Sequence, residues 1–322
     1  MQIPATYRKY LTLFWCVIVQ LFCGGSQLYG QTATTPAKTA LDNVAPDNAA
    51  TDVEITEEAP VFLRLVRDDD DQLKSLETAI TQYVLTKPDG TTVRVDLVGA
   101  VHVADRRYFD ELNRRFTKYD ALLYELVAPE GTRVPRGKSR GTSGVSMLQG
   151  GLVDLLDLDF QLDRIDYEKD NFVHADMSPE EFSKSMEDRG ESVVQLIFKM
   201  IGESMAKQSQ PLNGTSDVDL IAALFAPDRA LRLKRILAVH FQDMESMMTV
   251  FEGPNGSTLL SGRNAKALQV MEREIRAGKS KLGIFYGVGH LSDLHERLTQ
   301  DLGFEMRFQK WFVAWDLQSS RD

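Results

Sequence analysis

Two stretches of this chain share one pattern, an apolar run closed by Gly-x-x-His. Val95-Asp96-Leu97-Val98-Gly99-Ala100-Val101-His102 is the first, and Lys281-Leu282-Gly283-Ile284-Phe285-Tyr286-Gly287-Val288-Gly289-His290 is the second. Short apolar runs of this kind, bounded by glycine, predict buried strands. Glycine accepts backbone angles closed to other residues, so a strand ending in Gly99 or Gly287 is expected to turn sharply and project the next residues from its C-terminal end. In open α/β sheets, ligands bind at that edge.

The rest of the pattern fills in around these runs. Residues 79–86 and 91–98 flank Lys87-Pro88-Asp89-Gly90, which predicts a β-hairpin with Pro-Asp-Gly turn chemistry. Tyr108, Leu112 and Phe116 recur at helical spacing, predicting a helix from Asp105 to about Lys118. Ala121 to Val127 is a further buried-type strand, stopped at Ala128-Pro129. Strand, helix, strand is a βαβ unit, expected to have parallel strands and a right-handed crossover.

Residues 131–144 are rich in Gly, Ser, Arg and Lys and read as a loop, whereas residues 145–277 read as mostly helical. Within them Val193, Leu196, Ile197, Met200 and Ile201 keep one helical face, and Ser178-Pro179-Glu180-Glu181 is a capping box with proline in the first turn. Gly253-Pro254-Asn255-Gly256 precedes a helix bearing Arg263-Asn264. The chain returns to the sheet at residues 282–286, forms a short helix from Ser292 and closes with apolar runs at 305–308 and 311–315. The expected fold is α/β, a central mixed, largely parallel sheet flanked by helices, with residues 145–277 as a helical insertion.

The first thirty residues obey a different logic. Arg8-Lys9 precede an apolar stretch over residues 11–23, and small and polar residues come after it, the layout of a secretory signal peptide over residues 1–30. The apolar part is shorter than the roughly 20 residues a spanning helix needs, although a retained signal would hold the protein near a membrane. Residues 31–58 are rich in Thr, Ala, Asp and Pro and read as a disordered linker to a domain at 59–322. Both cysteines, Cys16 and Cys23, fall within the signal. The mature chain would then carry no disulfide, thiolate ligand or cysteine nucleophile. A secreted or periplasmic bacterial protein is expected. The formal charge of −10 argues against a nucleic-acid partner, whose phosphates demand a basic surface.

The chemistry concentrates at three strand ends. If the strands preceding His102, Glu125 and His290 are neighbours, two imidazoles and a carboxylate converge at one edge, a common ligand set for a catalytic divalent metal with open positions for water and substrate. Such an ion lowers the pKa of its water and polarises a carbonyl oxygen. The alternative is that each histidine merely caps a strand end through hydrogen bonds. Glu125 sits in an otherwise apolar strand, where a carboxylate needs a partner. Arg263 could be that partner, could hold a substrate carboxylate, or could lie on a solvated helix surface. His174-Ala175-Asp176, just before a helix cap, is a further candidate contributor, and His240 reads as a packed core histidine. Gly278-Lys279-Ser280 fails as a phosphate loop because Arg273 stands where that motif needs glycine. No His-Glu-x-x-His zinc motif is present.

Taken together, Gly99-Ala100-Val101-His102, the Tyr119-Asp120-Ala121-Leu122-Leu123-Tyr124-Glu125 strand, the Arg263-Asn264 helix and Gly287-Val288-Gly289-His290-Leu291 resemble the TraB/PrgY/GumN family. That group is related to the Tiki metalloproteases and more distantly to ChaN haem-binding and erythromycin esterase-like proteins. The resemblance covers about residues 78–317. It implies an exported, divalent-metal-dependent hydrolase acting on a peptide or protein, with Mn, Co or Zn held by His102, His290 and Glu125, and with Glu125 and Arg263 as catalytic groups. One of the three metal-site residues could instead be the general base. The alternative is a module that binds peptide or haem without turnover. Ala100-Val101 replaces the more usual small-Thr pair before the first histidine, and Leu-Ser-Asp replaces Leu-x-Gly after the second. Both departures leave the implied ligands intact and bear on substrate.

Overall fold

A computed structural model describes residues 60–129, 156–191, 223, 225–252 and 256–318. The signal at 1–30, the linker at 31–58, the loop at 131–144 and the helical face from Val193 to Ile201 all lie outside these residues, as does the side chain of His240.

The hairpin read from the sequence is present. Strands β2 (Leu73–Thr86) and β3 (Thr92–Ala100) pair antiparallel from Ile80↔Val98 to Thr86↔Thr92. Gly90 takes a φ of +83° in the turn, and Asp89 Oδ1 accepts from the Thr91 N–H at 2.9 Å. β2 is longer than expected and organises one half of the sheet. Its first half also pairs with β1 (Leu63–Arg67), and its opposite edge carries the long C-terminal strand β9 (Glu305–Asp316). The two closing apolar runs are thus one continuous strand.

The other half is parallel. β8 (Lys281–Gly287) lies between β3 and β5 (Ala121–Tyr124), parallel to both, and β7 (Phe172–His174) extends the sheet beyond β5. The fold is therefore α/β with a mixed, largely parallel central sheet, as expected. β3 and β5 share a direction but do not touch, because β8 separates them. The region read as a helical insertion holds two strands the hydrophobic pattern did not show. One is β7. The other is β6 (Asp159–Phe160), which pairs with β4 (Val103–Ala104).

Both faces of the sheet are covered, which is why the strands read as nearly continuous apolar runs. On one face Val98, Leu122, Tyr124 and Phe285 pack with Tyr108, Phe109, Leu112 and Phe116 of helix α1 (Arg106–Phe116). The short α2 (Gln161–Arg164) comes after β6 on that side, and α4 (Arg229–Glu252) is tied down by a partly buried bridge from Lys234 to Asp105 at 2.6 Å. On the other face Leu97, Leu123, Ile284 and Tyr286 pack with Ala267 and Met271 of α5 (Arg263–Arg276) and Leu291 and Leu294 of α6 (Leu291–Glu296). α3 (Pro179–Asp188) begins with the capping box read from the sequence, Ser178 and Glu181 each bonding the other's backbone N–H. Among the described residues no helix is long and apolar enough to cross a membrane.

Candidate functional site at the parallel strand ends

The two Gly-x-x-His strands are neighbours. β3 and β8 run parallel with Gly99 opposite Tyr286 and Ala100 opposite Gly287, so His102 and His290 leave the sheet at the same edge. β5 is the next strand, with Tyr124 opposite Phe285 and Glu125 immediately after it. β7 is next again, and Asp176 lies two residues beyond its end. Four adjacent strands thus deliver His102, His290, Glu125 and Asp176 to one place, the carboxyl edge where open α/β sheets bind ligands.

Neither motif glycine takes backbone angles closed to other residues, which the sequence reading expected of both. Gly287 has φ −51° and ψ 140°, open to any residue, and Gly99 has no positive φ either. Space explains them instead. A Cβ on Gly99 would lie 3.0 Å from Val288 Cγ1 and 3.3 Å from the Ala79 carbonyl oxygen. A Cβ on Gly287 would lie 3.3 Å from Glu125 Oε2, the atom that accepts the Gly287 N–H at 2.7 Å. The bare backbone lets the Glu125 carboxylate close onto that amide.

Arg263 comes from the other side. A π-helical turn, Thr258–Gly262, leads directly into α5 and sets Arg263 as its first residue, with 3% of its side chain exposed. Such turns insert an extra residue and re-aim the side chains after it. Arg263 Nε donates to Asp176 Oδ1 at 2.9 Å, and Nη2 donates to Asp176 Oδ2 at 2.5 Å and to Glu125 Oε1 at 2.7 Å. The remaining nitrogen, Nη1, faces His290 Nε2 at 3.5 Å. The reading of Arg263 as the partner of Glu125 is the one the structure selects. Two carboxylates flank one guanidinium, and the buried ionic cluster carries a net negative charge.

Asn264, adjacent in sequence, fixes the second histidine. Its Nδ2 donates to the His290 carbonyl oxygen at 3.0 Å and to Asp293 Oδ2 at 2.8 Å. Both amide protons are therefore engaged, and Oδ1 faces His290 Nδ1 at 2.7 Å as an acceptor. Nδ1 must carry the proton. Nε2 then holds a lone pair directed at Arg263 and Glu125, with Glu125 Oε1 3.6 Å away. Burial pushes the His290 pKa down to about 4, Arg263 pushes the same way, and the opposing pull of Glu125 does not reverse it. The imidazole is neutral at pH 7.

Glu125 is nearly buried, which disfavours its charged form. The Arg263 guanidinium, the two imidazoles and the Gly287 N–H outweigh that and hold it well below the usual carboxylate range. His102 keeps partial solvent exposure, yet its pKa is also lowered, by desolvation first, with Glu125 opposing and Arg263 assisting. Those influences place it within electrostatic reach of both residues. His174 contributes to packing: its Nε2 bonds the Leu126 carbonyl oxygen at 2.6 Å and its ring lies against Tyr124.

The expected metal ligands thus converge, but as placed they do not form an ion's cage. Among the described residues no group of three His, Cys, Asp or Glu side chains is arranged to hold a metal. The physical reason is Arg263. Both Glu125 oxygens already accept hydrogen bonds, and the guanidinium lies against the same Oε1 and Nε2 atoms that an ion would share.

The sequence singles out Asp176 with His174 as a candidate contributor and Asn264 within the Arg263-Asn264 helix, but it assigns Asn264 no role and Asp176 no partner. The apolar residues before Asp176 and its place ahead of a helix cap were the available signal. Compared with protein-family models, curated proteins and solved structures, the chain matches none.

Proposed function

We propose that the chain is a hydrolase acting at a carbonyl centre, exported by its N-terminal signal, with its chemistry at the carboxyl edge of β3, β8, β5 and β7. One observation carries the reading: a neutral imidazole whose Nε2 lone pair points at a buried guanidinium held between two carboxylates. The lone pair is a proton acceptor for an attacking water. The imidazolium that forms lies beside the net negative Arg263, Glu125 and Asp176 cluster, which favours it. Arg263 Nη1 is the fixed donor for negative charge developing on the carbonyl oxygen, held in place before reaction by Asp176. His102, the more open imidazole, is the second proton carrier and serves the leaving group. The resemblance to the TraB/PrgY/GumN and Tiki group supports the same class of reaction.

A divalent-metal form of this reading is favoured by one distance. His290 Nε2 and Glu125 Oε1 are 3.6 Å apart, the spacing of two ligands on one ion. His290, Glu125 and His102 would hold Mn, Co or Zn, which would supply Lewis acidity once the guanidinium had moved off Oε1.

The test is cleavage of a capped peptide library by full-length protein, with and without chelator, alongside elemental mass spectrometry. Chelator-resistant cleavage lost in His290→Ala and His102→Ala is the expected result. Stoichiometric metal that disappears in His290→Ala would transfer the reading to the metal form. No cleavage under either condition would overturn both.

A further inference from the structure

Arg263 stands where the donors of the site converge, and its grip there is stronger than the pairing with Glu125 alone requires. Nε and Nη2 take both oxygens of Asp176 in a fork, at 2.9 and 2.5 Å, while Nη2 also reaches Glu125 Oε1 at 2.7 Å and Nη1 lies 3.5 Å from His290 Nε2. A planar guanidinium forked onto a carboxylate is held in orientation as well as in place. The Asp176 side chain has no exposed surface and that of Arg263 only 3%. The head group therefore cannot leave for solvent without breaking the fork and stranding two buried carboxylates.

Charge points the same way. Asp176 and Glu125 are the negative groups, the His290 imidazole is neutral, and the guanidinium is the cation that both carboxylates share. A divalent ion added beside it would lie a few Å from a fixed positive charge, and two cations at that distance repel strongly even at the effective dielectric of a protein. An ion taking the place of the guanidinium would meet a carboxylate on either side and a free imidazole lone pair, all acceptable ligands.

We propose that Arg263 is the resident cation of this centre and that a divalent ion binds only in its stead, held by Asp176, Glu125 and His290. This donor set differs from the one the resemblance implies, because Asp176 replaces His102. It also accounts for the lack of a ready cage among the described residues: the guanidinium stands between Asp176 and the pair His290 and Glu125, whose facing atoms are 3.6 Å apart. The inference concerns the cofactor requirement of the hydrolytic centre and rests on that reading for turnover, while exclusion of metal stands apart from it.

The experiment is equilibrium dialysis of chelator-stripped, full-length protein against Zn2+ and Co2+, read by elemental mass spectrometry and by the visible absorption of bound Co2+. Wild type should take up no stoichiometric ion, whereas Arg263→Ala should take up one, at least about 100-fold more tightly, the scale of removing a like charge a few Å away. In the Arg263→Ala background, Asp176→Asn should abolish uptake and His102→Ala should leave it intact. The urea midpoint is a second readout: Zn2+ should raise that of Arg263→Ala and leave that of wild type unchanged. Arg263→Gln keeps an amide donor for Asp176 and carries both readouts if Arg263→Ala does not fold. A tightly bound ion in wild type, no uptake by either Arg263 variant, or uptake that depends on His102 and not on Asp176 would overturn the inference. Cleavage by wild type only when loaded with metal would overturn it and leave the hydrolytic reading. Exclusion by wild type and uptake by Arg263→Ala, with no library cleavage, would remove the hydrolytic reading and leave the inference.

Discussion

Asn264 holds His290 in a single tautomer. With both Asn264 amide protons given to the His290 carbonyl and Asp293, only its oxygen remains for Nδ1, so the Nε2 lone pair has one direction. Partners of this kind orient a histidine without touching substrate, and their loss costs about 10- to 100-fold in activity. Asn264→Leu should therefore lower kcat by that factor while leaving KM nearly unchanged. Imidazole 15N shifts should report the Nδ1-protonated form in wild type and a tautomer mixture in the variant. A wild-type spectrum showing Nε2 protonated would remove the basis of the argument.

Arg263 should matter to stability as much as to chemistry. Arg263→Met leaves Glu125 and Asp176 buried without their cation, and breaking a buried pair in this way costs about 3–5 kcal/mol. The triple variant Arg263→Met, Glu125→Gln, Asp176→Asn removes all three charges and should recover most of that loss in urea denaturation while remaining inactive. If the single variant unfolds at the wild-type midpoint, the cluster is not the ionic unit described.

Acid should destabilise the fold in two overlapping windows. His290 has its pKa lowered from 6.5 to about 4. Between those values the unfolded chain binds a proton that the folded chain does not, so stability is full above pH 6.5 and falls as pH drops to about 4. The loss over that window is about 3 kcal/mol. Glu125, also depressed, adds a further loss below pH 4.5, with the same sign. Urea midpoints measured from pH 7.5 to 4 should show the first limb, and His290→Gln should flatten it. A midpoint independent of pH over that range would contradict the burial of a neutral imidazole.

The two motif glycines should fail differently. Gly99→Ala sets a methyl against a side chain and a backbone carbonyl that cannot both retreat, costing about 1–3 kcal/mol. Gly287→Ala crowds the Glu125 carboxylate, at 3.3 Å, and makes only ordinary contact with His290 Cδ2, at 3.8 Å. It should fold at nearly wild-type stability and lose activity, because the carboxylate is displaced from its amide. Thermal melts and peptide cleavage on the two variants separate the effects, and equal melting losses would refute the distinction.

Much of this arrangement was legible in the chain itself. The paired runs ending at His102 and His290 read correctly as strands, and their adjacency, an assumption at the level of sequence, is the Ala100 to Gly287 pairing of β3 and β8. What was not legible depends on long separations. Arg263 was among the partners open to Glu125, 138 residues away, but its second partner, Asp176, lies 87 residues away and no local pattern encodes that contact. β7 is three residues long in a helix-rich region, below what periodicity can register. The glycines were found for the wrong reason, since torsion and clearance leave the same letter in a sequence.

The place of β8 has a consequence for how the chain reaches its native state. This strand is late in sequence yet central in the sheet, so β3 and β5 have no partner for their facing edges until residue 281 and beyond are available. Contacts of such high sequence separation slow folding. A nascent chain emerging from the ribosome would therefore remain open through most of its synthesis. Delayed closure would suit the proposed export, in which the chain crosses a membrane as an unfolded thread, and it keeps the groups of the site apart until β8 is in place.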